Sequence, residues 1–172
     1  MKTTLETINL MQADGVISQY AIGGAVGATF YLEPAATLDI DIFVSLQLAP
    51  GSILVTLSPI YNYLTAHGCR VEKEYIVIGG WPVQFLPSGD ALDEEALVQA
   101  VKTDVDGIPT RVMTAEHLVA IALRTGRQKD KIRVGQFIES GTLDASRLEQ
   151  ILNAHGLLAK WEKWTQQYRQ EA

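Results

Sequence analysis

Apolar residues fall at helical spacing over 2–13 (Leu5, Ile8, Leu10, Met11), and Asp14-Gly15 stops that helix. Residues 19–22, QYAI, form a short apolar strand that runs into Gly23-Gly24. Small apolar residues from Ala25 to Leu32 predict a buried helix that starts at the glycines and ends at Glu33-Pro34. Ala35 to Thr37 then lead into a strand over 38–46, and Pro50-Gly51 marks a turn. The spacing of Leu54, Leu57, Ile60, Tyr61 and Leu64 predicts a helix over 53–66, unless Pro59 moves its start to Ser58. Residues 69–87 predict two strands around Gly79-Gly80, or three shorter ones. A helix over 91–101 follows, with Asp93, Glu94 and Glu95 favouring its N-terminus. Asp106-Gly107 sits between apolar residues as a hairpin turn within 102–113. Thr114 is then the N-cap of the first of four helices, at about 115–125, 129–139, 145–154 and 157–170, which Gly126, Gly141 and Gly156 separate.

This order of elements is α+β: a mixed β-sheet flanked by helices over 1–113, then a helical C-terminal portion, 114–172, packed on it. At 172 residues and 47% hydrophobic composition the chain can bury a sizeable core. No apolar run reaches the roughly 18–20 residues of a membrane span. The first fifteen residues lack the uninterrupted apolar stretch of a signal peptide, so the expected location is cytoplasmic, with no membrane partner. The single cysteine, Cys69, rules out an internal disulfide framework and is expected to be a small core residue. A net charge of −6 argues against a broad nucleic-acid surface. One local basic stretch remains, 124-RTGRQKDKIR-133, which holds five of the fourteen lysines and arginines.

The segment 22-IGGAVGATFYLEPAATLDIDIFV-44 carries the chemistry. A strand entering two glycines and then a helix can bring bare backbone N–H groups to an anion. Without a ligand, the same pattern is a tight strand-to-helix turn. Asp39 and Asp41 share one face of the predicted strand and repel each other by about 2.5 kcal/mol at an effective dielectric near 20. Plain solvent relieves that repulsion at a sheet edge, and a divalent metal relieves it in a site. The glycines upstream tip the balance toward a site, since phosphate donors and metal carboxylates would then converge.

IGG, a helix and then T-x-D-x-D-x-F resemble the signature of the nucleotidyltransferase superfamily with a DNA polymerase beta-like palm. The likeness is greatest to its bacterial branch of abortive-infection-type toxin proteins. It implies that Gly23 and Gly24 hold a nucleoside triphosphate beside Thr37, and that Asp39 and Asp41 bind Mg²⁺ or Mn²⁺. The stretch 116-EHLVAIALRTGRQKDKIRV-134 also resembles this branch, which implies that Lys129 and Asp130 lie at the active site. Lys129 would meet phosphate there; Arg124 and Arg127 beside it could meet triphosphate or RNA, or form an exposed helix-end cluster. The implied reaction transfers a nucleoside monophosphate to an acceptor, which could be RNA, a protein or a small molecule, and an antitoxin-like partner is possible. The chain departs from the family at 82-PVQFLP-87, where a third carboxylate is expected and Gln84 stands. Glu72, Glu74, Asp90 or Asp130 could complete the site instead. Otherwise the chain is a nucleotide-binding or partner-regulating protein of the same fold without turnover.

His67, His117 and His155 are far apart in sequence and read as structural or exposed. Leu157, Leu158, Trp161, Trp164 and Tyr168 follow helical spacing and read as packing residues.

Overall fold

The period-two pattern of β2 (Ile40–Ser45) decides where everything else packs. Ile40, Ile42 and Val44 are fully buried in a cluster that also takes Leu5, Ile8 and Met11 of α1 (Lys2–Ala13) and Ile60 and Leu64 of α3 (Ser58–Ala66). Phe43 points the other way, into a second cluster built from the C-terminal helices. Asp41 alternates with the isoleucines and so shares the face of Phe43, under those helices. The computed structural model from which this follows describes residues 1–34, 37, 39–46 and 56–171.

Seven strands form one mixed sheet in the order β3-β4-β5-β2-β1-β7-β6. β1 (Gln19–Ile22) runs antiparallel to β2, with Ile22 opposite Ile42. β5 (Trp81–Pro87) runs parallel to β2 on its other side, with Gln84 directly opposite Asp41. β3 (Arg70–Glu72) and β4 (Tyr75–Ile78) extend the β5 edge, so the 69–87 segment is three strands. β6 (Val101–Val105) and β7 (Ile108–Val112) form the expected hairpin, turned at Asp106-Gly107 with both residues at positive φ.

Several boundaries differ from the sequence reading. The short helix after the glycines, α2 (Gly24–Ala28), closes four residues before Leu32. Its continuation tightens because the amides of Thr29, Phe30 and Tyr31 bond the carbonyls three residues back, and the Thr29 hydroxyl bonds Val26 O. α3 starts at Ser58 with Pro59 in its first turn, as the alternative start allowed, while residues 53–55 and the Pro50-Gly51 turn lie outside the described residues. α4 (Ala91–Val98) stops before 101, because Val101 is already paired in β6. Arg111 closes that helix end by donating to the carbonyls of Leu97, Val98 and Ala100. Leu10 is 48% exposed and lies off the buried face of α1, and Cys69, just after α3, is half-buried and packs against the edge of the core.

The C-terminal helices match their expected positions: α5 (Ala115–Thr125), α6 (Gln128–Ser140), α7 (Ala145–Ala154) and α8 (Leu158–Glu171). Thr114 caps α5 by accepting from the His117 amide. Trp164 is buried against the C-terminal cluster, and Leu157, Leu158 and Trp161 pack beside it. That cluster also takes Ala21, Ala28, Phe43 and Met113, so α5 and its neighbours cover the sheet face that carries Asp41.

Candidate functional site

Gly23 and Gly24 let the chain pass directly beneath β2. The Gly23 amide donates to Asp41 O at 2.9 Å, and a side chain at Gly23 would strike the Phe43 ring at 2.6 Å. Gly24 has φ +56°, and a Cβ there would sit 1.8 Å from Asp41 Oδ2. The Asp41 carboxylate therefore fills the space that any other residue at position 24 would need. Because the Gly23 amide is already engaged, the unpartnered donors of this turn are the amides of the first turn of α2.

Asp39 lies just before β2, and the Thr37 hydroxyl donates to its carbonyl and carboxylate at 3.2 and 3.3 Å. Asp41 is half-buried, and burial first, then the charge of Asp39, pushes its carboxyl pKa up. Lys129, Arg127 and Arg133 pull it back down, which puts three cations of one helix start in the field of this carboxylate. The carboxyl of Asp39 and burial in turn raise the hydroxyl pKa of Tyr75 across the cavity.

Asp130 is 1% exposed and is spent locally. It accepts from the Arg127 amide at 3.1 Å and from Arg127 Nε at 2.8 Å, which closes a capping box at the start of α6. Asp130 thus aims the guanidinium of Arg127 and has little left for a metal. Arg133, one turn after Lys129, is only 17% exposed and meets Asp130 at a long 3.8 Å. The sequence reading missed Arg133, although its i, i+4 spacing from Lys129 was the available signal. Arg124 is held away from phosphate duty, since it donates to both Asp90 and Asp93.

Asp41, Arg127 and Arg133 form a common wall between two cavities. The larger, about 680 Å³, lies on the side of Asp39 and includes Lys129, Lys73 and Tyr75. The smaller, about 300 Å³, lies on the side of Gln84 and has an apolar floor that includes Phe43 and Met113. Gly24 lines only the smaller one, while Ala25 and Thr37 line the larger.

The donor set suits one divalent ion, with two carboxylates, a partly buried pair that a cation would relieve, and the Gln84 amide in register beside Asp41. A three-acid set does not form among the described residues. Of the acids named for that role, Glu72 reaches the Asp39-side cavity but pairs with Arg70 at 3.6 Å. Asp90 is bound to Arg124, Asp130 caps α6, and Glu74 is exposed.

The histidines, distant in sequence, are partly brought together. His155 Nε2 lies 2.7 Å from one oxygen of Glu95, and the fully buried His117 lies 3.5 Å from the other without hydrogen-bond alignment. Burial lowers the pKa of His117 below its ordinary 6.5 and outweighs the pull of Glu95. The unfolded chain therefore takes up this proton first as the pH falls, and the folded state loses stability below about pH 6.5. Hydrogen bonding from His155 lowers the pKa of Glu95, which extends the loss further into acid. Urea midpoints measured against pH should be flat just above 6.5 and decline below it. His117→Gln should flatten the decline nearest 6.5, and an unchanged slope in that variant would assign the decline to other groups.

The fold is that of the nucleotidyltransferases. Among solved structures, the chain is similar to ANT(2'')-Ia in complex with adenylyl-2''-tobramycin, at TM-score 0.53 and 17% identity over 88% of this chain and 96% of that one. The solution structure of the antibiotic-resistance factor ANT(2'')-Ia gives TM-score 0.54 and 15% identity over 98% and 97%. An antigenic nucleotidyltransferase-like protein from Paracoccidioides brasiliensis gives TM-score 0.56 and 12% identity over 98% and 91%. At these identities the likeness is one of fold. No protein-family model and no curated protein matches the chain. Among the described residues, no helix is long and apolar enough to cross a membrane.

Proposed function

We propose that the chain is a nucleotidyltransferase that moves a nucleoside monophosphate from a nucleoside triphosphate to an acceptor hydroxyl. The observation that carries this reading is the half-buried Asp41, seated on Gly24 and faced by Arg127, Lys129 and Arg133. Two carboxylates and three cations at one wall suit a metal-bound polyphosphate better than either suits bare solvent. Asp39 and Asp41 would hold Mg²⁺ or Mn²⁺, which when bound supplies charge neutralisation at the reacting phosphate. Lys129 and Arg133 meet the triphosphate oxygens, and Asp130 positions Arg127 beside them. The first turn of α2 offers its amides at the same wall. The acceptor oxygen bonds to the α-phosphorus, and the bond from that phosphorus to the bridging oxygen breaks. Pyrophosphate leaves with the electron pair, and the hydroxyl proton passes to water.

The ANT(2'')-Ia structure with adenylyl-2''-tobramycin brings an aminoglycoside in as a candidate acceptor beside RNA or a protein hydroxyl, and the resemblance to the abortive-infection branch adds an antitoxin-like partner. Thermal shift with each of the four nucleoside triphosphates and Mg²⁺ is expected to raise the melting temperature for at least one of them. Incubation of that nucleotide, labelled on its α-phosphate, with cell extract should then label an acceptor. No shift with any nucleotide would defeat the proposal.

Gln84 favours a second reading, a nucleotide-binding protein without efficient turnover, because an amide opposite Asp41 adds no charge for a metal. That reading predicts the thermal shift without labelled product. Gln84→Glu restores a third acid and is expected to tighten Mn²⁺ binding by about tenfold, read by electron paramagnetic resonance titration. Unchanged affinity would put Gln84 outside the metal's reach.

A further inference from the structure

We propose that the cleft on the Gln84 side of Asp41 is the acceptor site, and that it takes a hydroxyl compound with an apolar body and no net positive charge. The proposal rests on Asp39 and Asp41 being the transfer centre. Two cavities open on Asp41, and their linings differ in kind. The Asp39-side cavity sets Lys73, Arg127, Lys129 and Arg133 against Asp39, Asp41 and Glu72, and it is the larger of the two. An excess of one cation there, with Ala25 of the first turn of α2 in the same lining, suits the polyanionic triphosphate. Gly24, expected beside it, instead lines the Gln84-side cleft, which is left for the second substrate.

That cleft is floored by Phe43, Leu86, Met113, Leu118 and Ile121, a surface that releases water readily when a hydrocarbon or ring covers it. Its acids other than Asp41 are already answered. Asp93 accepts from Arg124 Nη2 at 2.8 Å, and Asp130 accepts from Arg127 Nε at 2.8 Å. A polycation would find no uncommitted carboxylate among the described lining residues except Asp41, which the transfer centre needs, and this counts against the aminoglycoside among the candidate acceptors above. Of the three guanidiniums in the lining, Arg124 and Arg127 are paired with Asp93 and Asp130, and Arg133, which meets Asp130 only at 3.8 Å, leaves positive charge in excess once Asp41 is committed. A neutral or anionic group meets no such penalty, and the guanidinium N–H groups outside those pairs offer it donors.

The test uses three phenols of one size that differ in charge: tyramine, 4-hydroxyphenylacetamide and 4-hydroxyphenylacetate. Each is titrated by protein-observed NMR into the full chain saturated with Mg²⁺ and a non-hydrolysable analogue of the stabilising nucleotide. The amide and the acetate are expected to bind about tenfold more tightly than tyramine. Ile121→Trp, which fills the cleft floor, should abolish binding of all three, with the melting temperature checking that the variant folds. Arg124→Gln releases Asp90 and Asp93 and should narrow or reverse the disadvantage of tyramine. Equal or tighter binding of tyramine by the wild-type chain overturns the proposal. So does binding of none of the three, or an Ile121→Trp variant that binds them normally. If no nucleotide analogue binds the wild-type chain, the transferase reading itself falls.

Discussion

Asp41→Asn is expected to abolish nucleotidyl transfer, lowering product formation at least about 1,000-fold, while leaving the fold intact. The amide is isosteric with the carboxylate, so it still fits over Gly24, and the backbone bond from the Gly23 amide to the carbonyl of residue 41 is untouched. What disappears is the negative charge that faces Arg127, Lys129 and Arg133. Burial and the neighbouring Asp39 both press on that charge, so removing it is expected to raise the melting temperature of the free chain slightly or leave it unchanged. The combination is diagnostic: a stable protein, no product, and loss of the Mg²⁺-dependent part of the thermal shift. Labelling that survives Asp41→Asn would remove this residue from the centre of the reaction. A large fall in melting temperature would make its role structural.

Gly24→Ala is expected to damage both stability and activity, for reasons that can be separated. At φ +56° an L-residue costs roughly 1–2 kcal/mol of backbone energy. The added methyl also meets Asp41 Oδ2 at 1.8 Å, a distance that no side chain tolerates, so the carboxylate must move. A displacement of about 1 Å at a reacting centre costs on the order of 100-fold in rate. Gly15 provides the control, since it has φ +75° but no atom within 4 Å of the place an added methyl would take. Gly15→Ala should therefore show the backbone cost alone. Chemical denaturation and transfer rates on both variants decide the matter. Equal rate losses in the two would mean that the contact with Asp41 is irrelevant to turnover.

Much of the architecture was legible in the order of residues, because the elements that matter announce themselves locally. The hairpin at Asp106-Gly107 needs positive φ at both turn residues, and Asp-Gly supplies it. The cap at Thr114 and the left-handed glycines Gly126 and Gly141 bound α5 and α6 by short-range geometry alone. The pairing of glycines with two aspartates was likewise visible, since all four stand within one short segment. Where the reading slipped, a contact distant in sequence had intervened. Val101 left the helix predicted for it because β7 offered it a strand partner, and Arg124 turned from phosphate because Asp90 and Asp93, on α4 and its cap, reach it first.

Local sequence by itself determined that a turn of bare backbone would precede two carboxylates on alternate positions, and that a basic helix start would follow late in the chain. Only the tertiary structure decided what those carboxylates face. Periodicity says that Asp41 opposes Ile40 and Ile42 across the strand, but not whether its side is wet or covered. That depends on α5 and α6 folding back over the sheet from about ninety residues away, which brings Lys129 and Arg133 to one wall with Asp41. It depends equally on the register of β5, which sets Gln84 beside Asp41. Charge pairing acts through space and strand register through long-range hydrogen bonds, so neither is written in the spacing of neighbouring residues.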